Sequence, residues 1–256
     1  MALLTAHKVR HNFGGLRAID DFDLELHPGE LMALIGPNGA GKTTVFNLIT
    51  GVYRASEGSI RFRDHELVGR TPHEITALRI ARTFQNIRLF RDLSVLDNVR
   101  IAHFSQSRYS PLEALFHVGR HRREEERIIE HSRSLLAIFK LEHLAGETAG
   151  SLPYGNQRRL EIARALATGP ELLLLDEPAA GMNPAEIDQL MEFIQWIRHE
   201  FRLTILLIEH QMRLVSAICE RVKVLDFGKT LAEGTPETVR NDPAVLEAYL
   251  GEKVAG

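Results

Sequence analysis

The nine residues "GPNGAGKTT", Gly36 to Thr44, hold three glycines, one lysine and two threonines. Glycines at this spacing let consecutive backbone N–H groups curl around an anion with no Cβ in the way. Lys42 then supplies a point charge to β/γ-phosphate oxygens, and Thr43 a hydroxyl to Mg²⁺. A helix beginning at the lysine would aim its positive dipole end at the same anion. The expected ATP-phosphate residues are therefore Gly36, Pro37, Asn38, Gly39, Ala40, Gly41, Lys42, Thr43 and Thr44.

A second constellation lies in "SLPYGNQRRLEIARALATGPELLLLDEP", Ser151 to Pro178. Its run of four leucines stops at Asp176 and Glu177. A buried strand ending in a carboxylate is the usual partner of a phosphate loop, with Asp176 holding Mg²⁺. Glu177, one residue past the strand end, is placed to take a proton from an attacking water. Upstream, a polar turn with Pro153, Gly155 and Asn156 enters a helix bearing Arg158, Arg159 and Arg164. These features alone admit a P-loop kinase, a GTPase or a strand-exchange ATPase.

Positioning them requires an α/β scaffold. "LLTAHKVRHNF" reads as an edge strand, and "IDDFDLEL" alternates from Phe22 to Leu26 at the period of a half-buried strand. "ELMALI" is a short buried strand that delivers the phosphate loop, and "GSIRFRD" resembles another strand. Residues of roughly 87–150 recur at helical spacing, as in "LSVLDNVRIA" and "RIIEHSRSLLAIF", and read as an inserted helical lobe. Its charge run Arg120 to Arg127 reads as a solvated helix face. The leucine strand, a helix from Pro184 to His199, the strand "LTILLIE", a "VKVLDFGK" strand pair and a terminal helix "PAVLEAYL" follow. Buried strands alternating with helices imply a mainly parallel sheet. The division expected is an ATPase core with a β subdomain over about 1–86 and 151–256, and a helical subdomain over about 87–150.

Composition bounds the rest. The chain has 256 residues, 44% hydrophobic and 25% charged, which suits one large globular domain. A net charge of −3 gives no global electrostatic case for nucleic acid. The single cysteine, Cys219, excludes an intramolecular disulfide and reads as a packed residue. No stretch reaches the roughly 18 consecutive apolar residues of a spanning helix, so a membrane role would come through a partner.

The order of phosphate loop, Gln85, "LPYGNQRRLEIARAL", "LLLLDEP" and "IEH" resembles the ATP-binding cassette family over nearly the whole chain. The resemblance implies that family's fold: a P-loop core with a mainly parallel sheet, an N-terminal antiparallel β subdomain and an inserted helical subdomain. It implies ATP and Mg²⁺ as cofactors and ATP hydrolysis as the reaction. By matching position, Phe13 in "HNFGG" stacks on adenine, and Gln85 in "RTFQN" senses Mg²⁺ and the attacking water. His210 contacts the γ-phosphate. Leu152, Pro153, Tyr154, Gly155 and Asn156 occupy the place of the signature turn that faces the nucleotide of a second protomer. Proline stands there where the family has serine, so Tyr154, Gly155 and Asn156 are expected to present their N–H groups. "AAGMN", Ala179 to Asn183, replaces the loop that crosses the dimer interface, with Asn183 in place of the usual aspartate.

"RTFQNIRLF", "DEPAAGMNP", "LLIEHQM" and the tail "GTPETVRNDPAVLEAYLG" look like the ATPase subunits of branched-chain amino-acid importers. That likeness implies integral-membrane permease subunits and a second ATPase subunit as partners, in a heterodimer or a homodimer. An extracytoplasmic binding protein would act indirectly, nucleic acid would not be a partner, and the chain would sit peripherally on the cytoplasmic face of the inner membrane. ATPases of lipopolysaccharide export and of urea or amide uptake share the pattern. A soluble, non-transport cassette ATPase is the remaining alternative.

Overall fold

Leu31–Ile35 (β3) is an unbroken apolar run with every residue buried, which fits a central strand covered on both faces. In the computed structural model, which describes residues 1–103 and 120–250 with side chains omitted at 120–124 and 250, β3 lies inside a six-stranded sheet. Its other strands are Ile80–Arg82 (β6), Leu172–Asp176 (β7), Thr204–Ile208 (β8), Arg221–Asp226 (β9) and Lys229–Gly234 (β10), in the order β10-β9-β3-β8-β7-β6. All pairings are parallel except the β9–β10 hairpin.

A four-stranded antiparallel sheet contains Leu4–Phe13 (β1), Leu16–Leu26 (β2), Glu57–Phe62 (β4) and His65–Glu66 (β5), in the order β2-β1-β4-β5. The expectation of an edge strand at the N-terminus is corrected here. β1 is interior, because β4 returns to pair with it from Leu4↔Phe62 to Arg10↔Glu57. One apolar cluster runs through both sheets, from Leu4, Ile19 and Phe22 to Leu34, Phe46, Leu174 and Leu206.

The helices are Lys42–Ile49 (α1), Pro72–Ala77 (α2), Val95–His103 (α3), Arg120–Ile138 (α4), Tyr154–Leu166 (α5), Pro184–Glu200 (α6), Met212–Ile218 (α7), Pro236–Arg240 (α8) and Pro243–Leu250 (α9). The chain divides into two compact units: Met1–Gln85 with Glu171 onward, and Asn86–Pro170. The second unit continues past residue 150 to include all of α5, which packs on α3 and α4. Within the charge run Arg120 to Arg127, Glu126 and Arg127 are exposed and Glu125 meets Arg100 at 3.0 Å. Its first five side chains lie outside the described residues. Among the described residues, no helix is long and apolar enough to cross a membrane.

Candidate functional site

Three neighbouring strands deliver the site. β3, β8 and β7 lie side by side in parallel, so their carboxyl ends open on one edge of the sheet, where α/β sheets place their ligands. β3 feeds the phosphate loop, β8 feeds Glu209 and His210, and β7 ends in Asp176 with Glu177 next.

The loop from Gly36 to Gly41 is held by close backbone approach. Gly36 has φ 147°, and a Cβ there would lie 2.0 Å from the Leu225 carbonyl oxygen. Gly41 has φ 106°, and its Cβ would meet Ile19 at 2.8 Å and the Ala18 carbonyl at 2.9 Å. Neither position admits another residue. The Gly228 N–H donates to the Ala40 carbonyl at 2.9 Å, fixing the far side of the loop to the β9–β10 turn. Pro37, Asn38 and Gly39 form the outer arc, with Asn38 and Gly39 exposed, and Thr43 and Thr44 begin α1 behind Lys42.

Lys42 is buried and curls over its own loop, donating to the carbonyls of Gly36 at 2.7 Å and Pro37 at 2.9 Å. Burial lowers its pKa, and the charges of Glu177 and Asp176 oppose that shift. The phosphate-loop lysine and both carboxylates thus share one electrostatic environment. In the tail helix α9, burial raises the pKa of the Tyr249 phenol, and the Gly36 backbone of the same loop opposes that shift.

Asp176 is buried, and its Oδ2 accepts a 2.7 Å bond from Arg82 of β6. The same guanidinium donates to Asn47 Oδ1 of α1 at 2.7 Å and to Thr50 Oγ1, at the end of that helix, at 3.3 Å. It also lies over the rings of Phe46 and Phe84, at 5.3 and 4.9 Å. Arg82 therefore braces the phosphate-loop helix to the carboxylate strand. Sequence reasoning missed it, because an arginine before "TFQ" carries no local mark of burial.

Glu177 has φ 46°, in the left-handed region that costs a non-glycine residue about 1–3 kcal/mol. Its N–H is held by the Ile208 carbonyl at 2.9 Å, and its Oε2 accepts the Gln85 amide at 2.8 Å. His210 Nδ1 lies 3.9 Å from the same oxygen. Gln85, Glu177 and His210 thus converge on one carboxylate.

Phe13 ends β1, 43% exposed. Its ring stands edge-on to His11 (4.6 Å) and Tyr53 (5.2 Å), which stack on each other at 5.4 Å. An aromatic face backed this way is preorganised for a flat ligand. His11 and Tyr53 were not legible as its supports.

Leu152 to Asn156 belong to the other unit. Pro153, with φ −54° and ψ 149°, is the cap residue before α5, and its carbonyl accepts the N–H groups of Asn156 (2.9 Å) and Gln157 (3.0 Å). The expectation that Asn156 presents its N–H outward is thereby corrected, because the first turn of α5 consumes it. Leu152 is buried and Tyr154 exposed. A Cβ on Gly155 would meet nothing within 4 Å, so no neighbour in this chain demands glycine there. Asn183 caps α6: its Oδ1 accepts Ala185 and Glu186 N–H groups, both at 3.0 Å, and Glu186 returns a bond to the Asn183 N–H at 2.8 Å. Asparagine and aspartate cap equally well, so the departure at 183 preserves this local role.

Thr43 hydroxyl, Gln85 amide oxygen and Asp176 carboxylate are all hard oxygen donors. That set fits Mg²⁺, which takes one or two carboxylates and otherwise keeps water and phosphate oxygens. Arg82 engages one oxygen of Asp176, in keeping with a limited share in the coordination.

The family described as ABC transporter matches residues 19–180, and that described as branched-chain amino acid ATP-binding cassette transporter matches residues 229–255. The chain is 45% identical over 250 residues to the high-affinity branched-chain amino acid transport ATP-binding protein LivG of Escherichia coli K12, covering 98% of both chains. It is 44% identical over 240 residues to BraF of Pseudomonas aeruginosa, of the same description, covering 94% of both. Among solved structures, an ATP-binding cassette of an ABC transporter in its ADP conformation superposes with a TM-score of 0.85 at 33% identity, over 98% of this chain and 100% of that one. A nucleotide-free cassette gives 0.85 at 32% identity, with the same coverage of both chains. With a glycine loop held by close backbone approach, a strand-end carboxylate pair and these relatives, the chain belongs to the ABC transporter family as an ATP-binding cassette ATPase.

Proposed function

We propose that this chain is the motor subunit that drives import of branched-chain amino acids through separate membrane permease subunits. Likeness to LivG and BraF over nearly full length carries that reading. The match of residues 229–255 to the branched-chain family supports it, because that segment lies outside the general cassette match.

ATP places its adenine on Phe13 and its phosphates in the N–H cradle of Gly36 to Thr44. Lys42 transfers its hydrogen bonds from the Gly36 and Pro37 carbonyls to β/γ-phosphate oxygens. Thr43, Gln85 and Asp176 would hold Mg²⁺, which would neutralise phosphate charge when bound. Glu177 takes a proton from water as the water oxygen bonds to the γ-phosphorus and the bridging bond breaks. The electron pair of that bond leaves on ADP. His210 contacts the γ-phosphate. The turn Leu152 to Asn156 closes over the nucleotide of a second ATPase subunit, where the N-terminus of α5 attracts phosphate. The chain works peripherally on the cytoplasmic face of the membrane, and an extracytoplasmic binding protein delivers the cargo.

Vesicles holding the assembled transporter test this reading. ATP-dependent uptake of labelled leucine should be competed by isoleucine and valine and not by urea. Uptake of urea in their place would overturn the cargo assignment.

A further inference from the structure

Glu209 has no role in the mechanism above, yet it occupies a singular place. It directly follows β8, and it is 0% exposed. A buried carboxylate must find donors or cations to offset its lost hydration. Its Oε1 accepts the Ala179 N–H at 2.9 Å, and its Oε2 accepts the N–H groups of His210 at 3.0 Å and Gln211 at 3.3 Å. The Gln211 side-chain amide also reaches the Ala179 carbonyl at 3.5 Å. The Cys219 thiol, pushed up first by burial and then by the charge of Glu209, registers the same carboxylate.

The two segments joined here carry the reacting-side groups. Ala179 lies two residues beyond Glu177 and opens the loop Ala179 to Asn183. His210 is held through its own backbone N–H, with its Nδ1 3.9 Å from both Glu177 Oε2 and Glu209 Oε2. Hydrogen bonds to a charged acceptor are roughly twice as strong as neutral ones. Removing the acceptor leaves buried N–H groups unsatisfied.

We propose that Glu209 is a positioning residue that couples the loop Ala179 to Asn183 to the His210 switch, so that the two move as one unit. This rests on the roles of Glu177 and His210 given above. The reach of a glutamate matters. Oε1 bonds across to the neighbouring strand's loop while Oε2 serves the residues of its own loop, and an aspartate is one methylene too short to do both.

The test uses the full chain for amide hydrogen exchange and the assembled transporter for turnover. In Glu209→Gln and Glu209→Asp, exchange at Ala179 should accelerate about tenfold or more, while the phosphate-loop amides keep their wild-type rates. kcat should fall about tenfold or more, with KM for ATP within about twofold, because nucleotide binding does not use this link. Glu177→Gln and His210→Ala run in parallel. If those two retain turnover, the site reading itself fails. If they lose it while either Glu209 variant keeps wild-type kcat, or if Ala179 exchange is unchanged, the coupling is overturned. A kcat loss matched by an equal rise in KM, with faster exchange throughout the chain, would reduce Glu209 to a fold-stabilising residue and also overturn it.

Discussion

The side-chain amide of Gln85 donates a 2.8 Å hydrogen bond to Oε2 of Glu177. The backbone of Glu177 is separately pinned in its left-handed conformation by the Ile208 carbonyl. Glu177, the proposed general base, is therefore fixed twice, by a strand through its main chain and by Gln85 through its carboxylate.

Removing the second restraint should cost rate and not affinity. Gln85→Ala is expected to lower kcat about tenfold, since displacement of a reacting group by about 1 Å costs up to 10²-fold. KM for ATP should stay within about twofold. Steady-state phosphate release by the assembled transporter reads both.

The proposed roles of Lys42 and Phe13 in nucleotide affinity differ in kind, and their variants should rank accordingly. Lys42→Ala deletes the buried charge proposed to bind the phosphates and should weaken ATP binding most. Phe13→Ala removes one stacking face, worth on the order of 1–3 kcal/mol. Titration with a fluorescent nucleotide gives the order. A Phe13 variant of wild-type affinity would leave the ring a structural member of the His11–Tyr53 cluster.

The turn before α5 offers a paired test. Pro153→Ser restores a hydroxyl without disturbing the carbonyl that Asn156 and Gln157 use, so ATPase activity should be unchanged or modestly higher. Gly155→Asp meets nothing in its own chain, so folding should survive. Activity of the complex should vanish, because a carboxylate would face the partner's phosphate. A folded, fully active Gly155→Asp transporter would remove this turn from the nucleotide.

The chemistry of the site was written in local sequence to the extent that it is local. The phosphate loop needs glycines at fixed offsets, and Asp176 and Glu177 advertise themselves by ending an apolar run. Arg82 and Glu209 do not, since their importance comes from β6, β7 and β8 being neighbours, a long-range pairing with no mark in the flanking residues. The same holds for β1, which reads as an edge until β4 returns from some fifty residues away. Likewise α5 follows the expected lobe boundary at 150 but packs on α3 and α4 within the second unit.

That second unit carries its own pH dependence. Burial, then the neighbouring His131 at 4.8 Å, lowers the His103 pKa from 6.5 to about 4. The unfolded chain thus binds a proton below about pH 6.5 that the folded chain refuses until about pH 4. Stability is full above that window and is lost as pH falls through it. His103→Gln should flatten the fall in urea midpoint between pH 7 and 5, and an unchanged slope would assign the acid sensitivity elsewhere.

The most direct measurement compares phosphate release and nucleotide occupancy in wild type and Glu177→Gln, in the assembled transporter with ATP and Mg²⁺. The amide preserves shape but cannot accept a proton, and positioned bases contribute about 10²–10⁴-fold. Phosphate release should fall by at least about 10²-fold while bound ATP stays near wild type and leucine uptake stops. Phosphate release within a few-fold of wild type would remove Glu177 from the role of general base, because the proton would then be taken by another group.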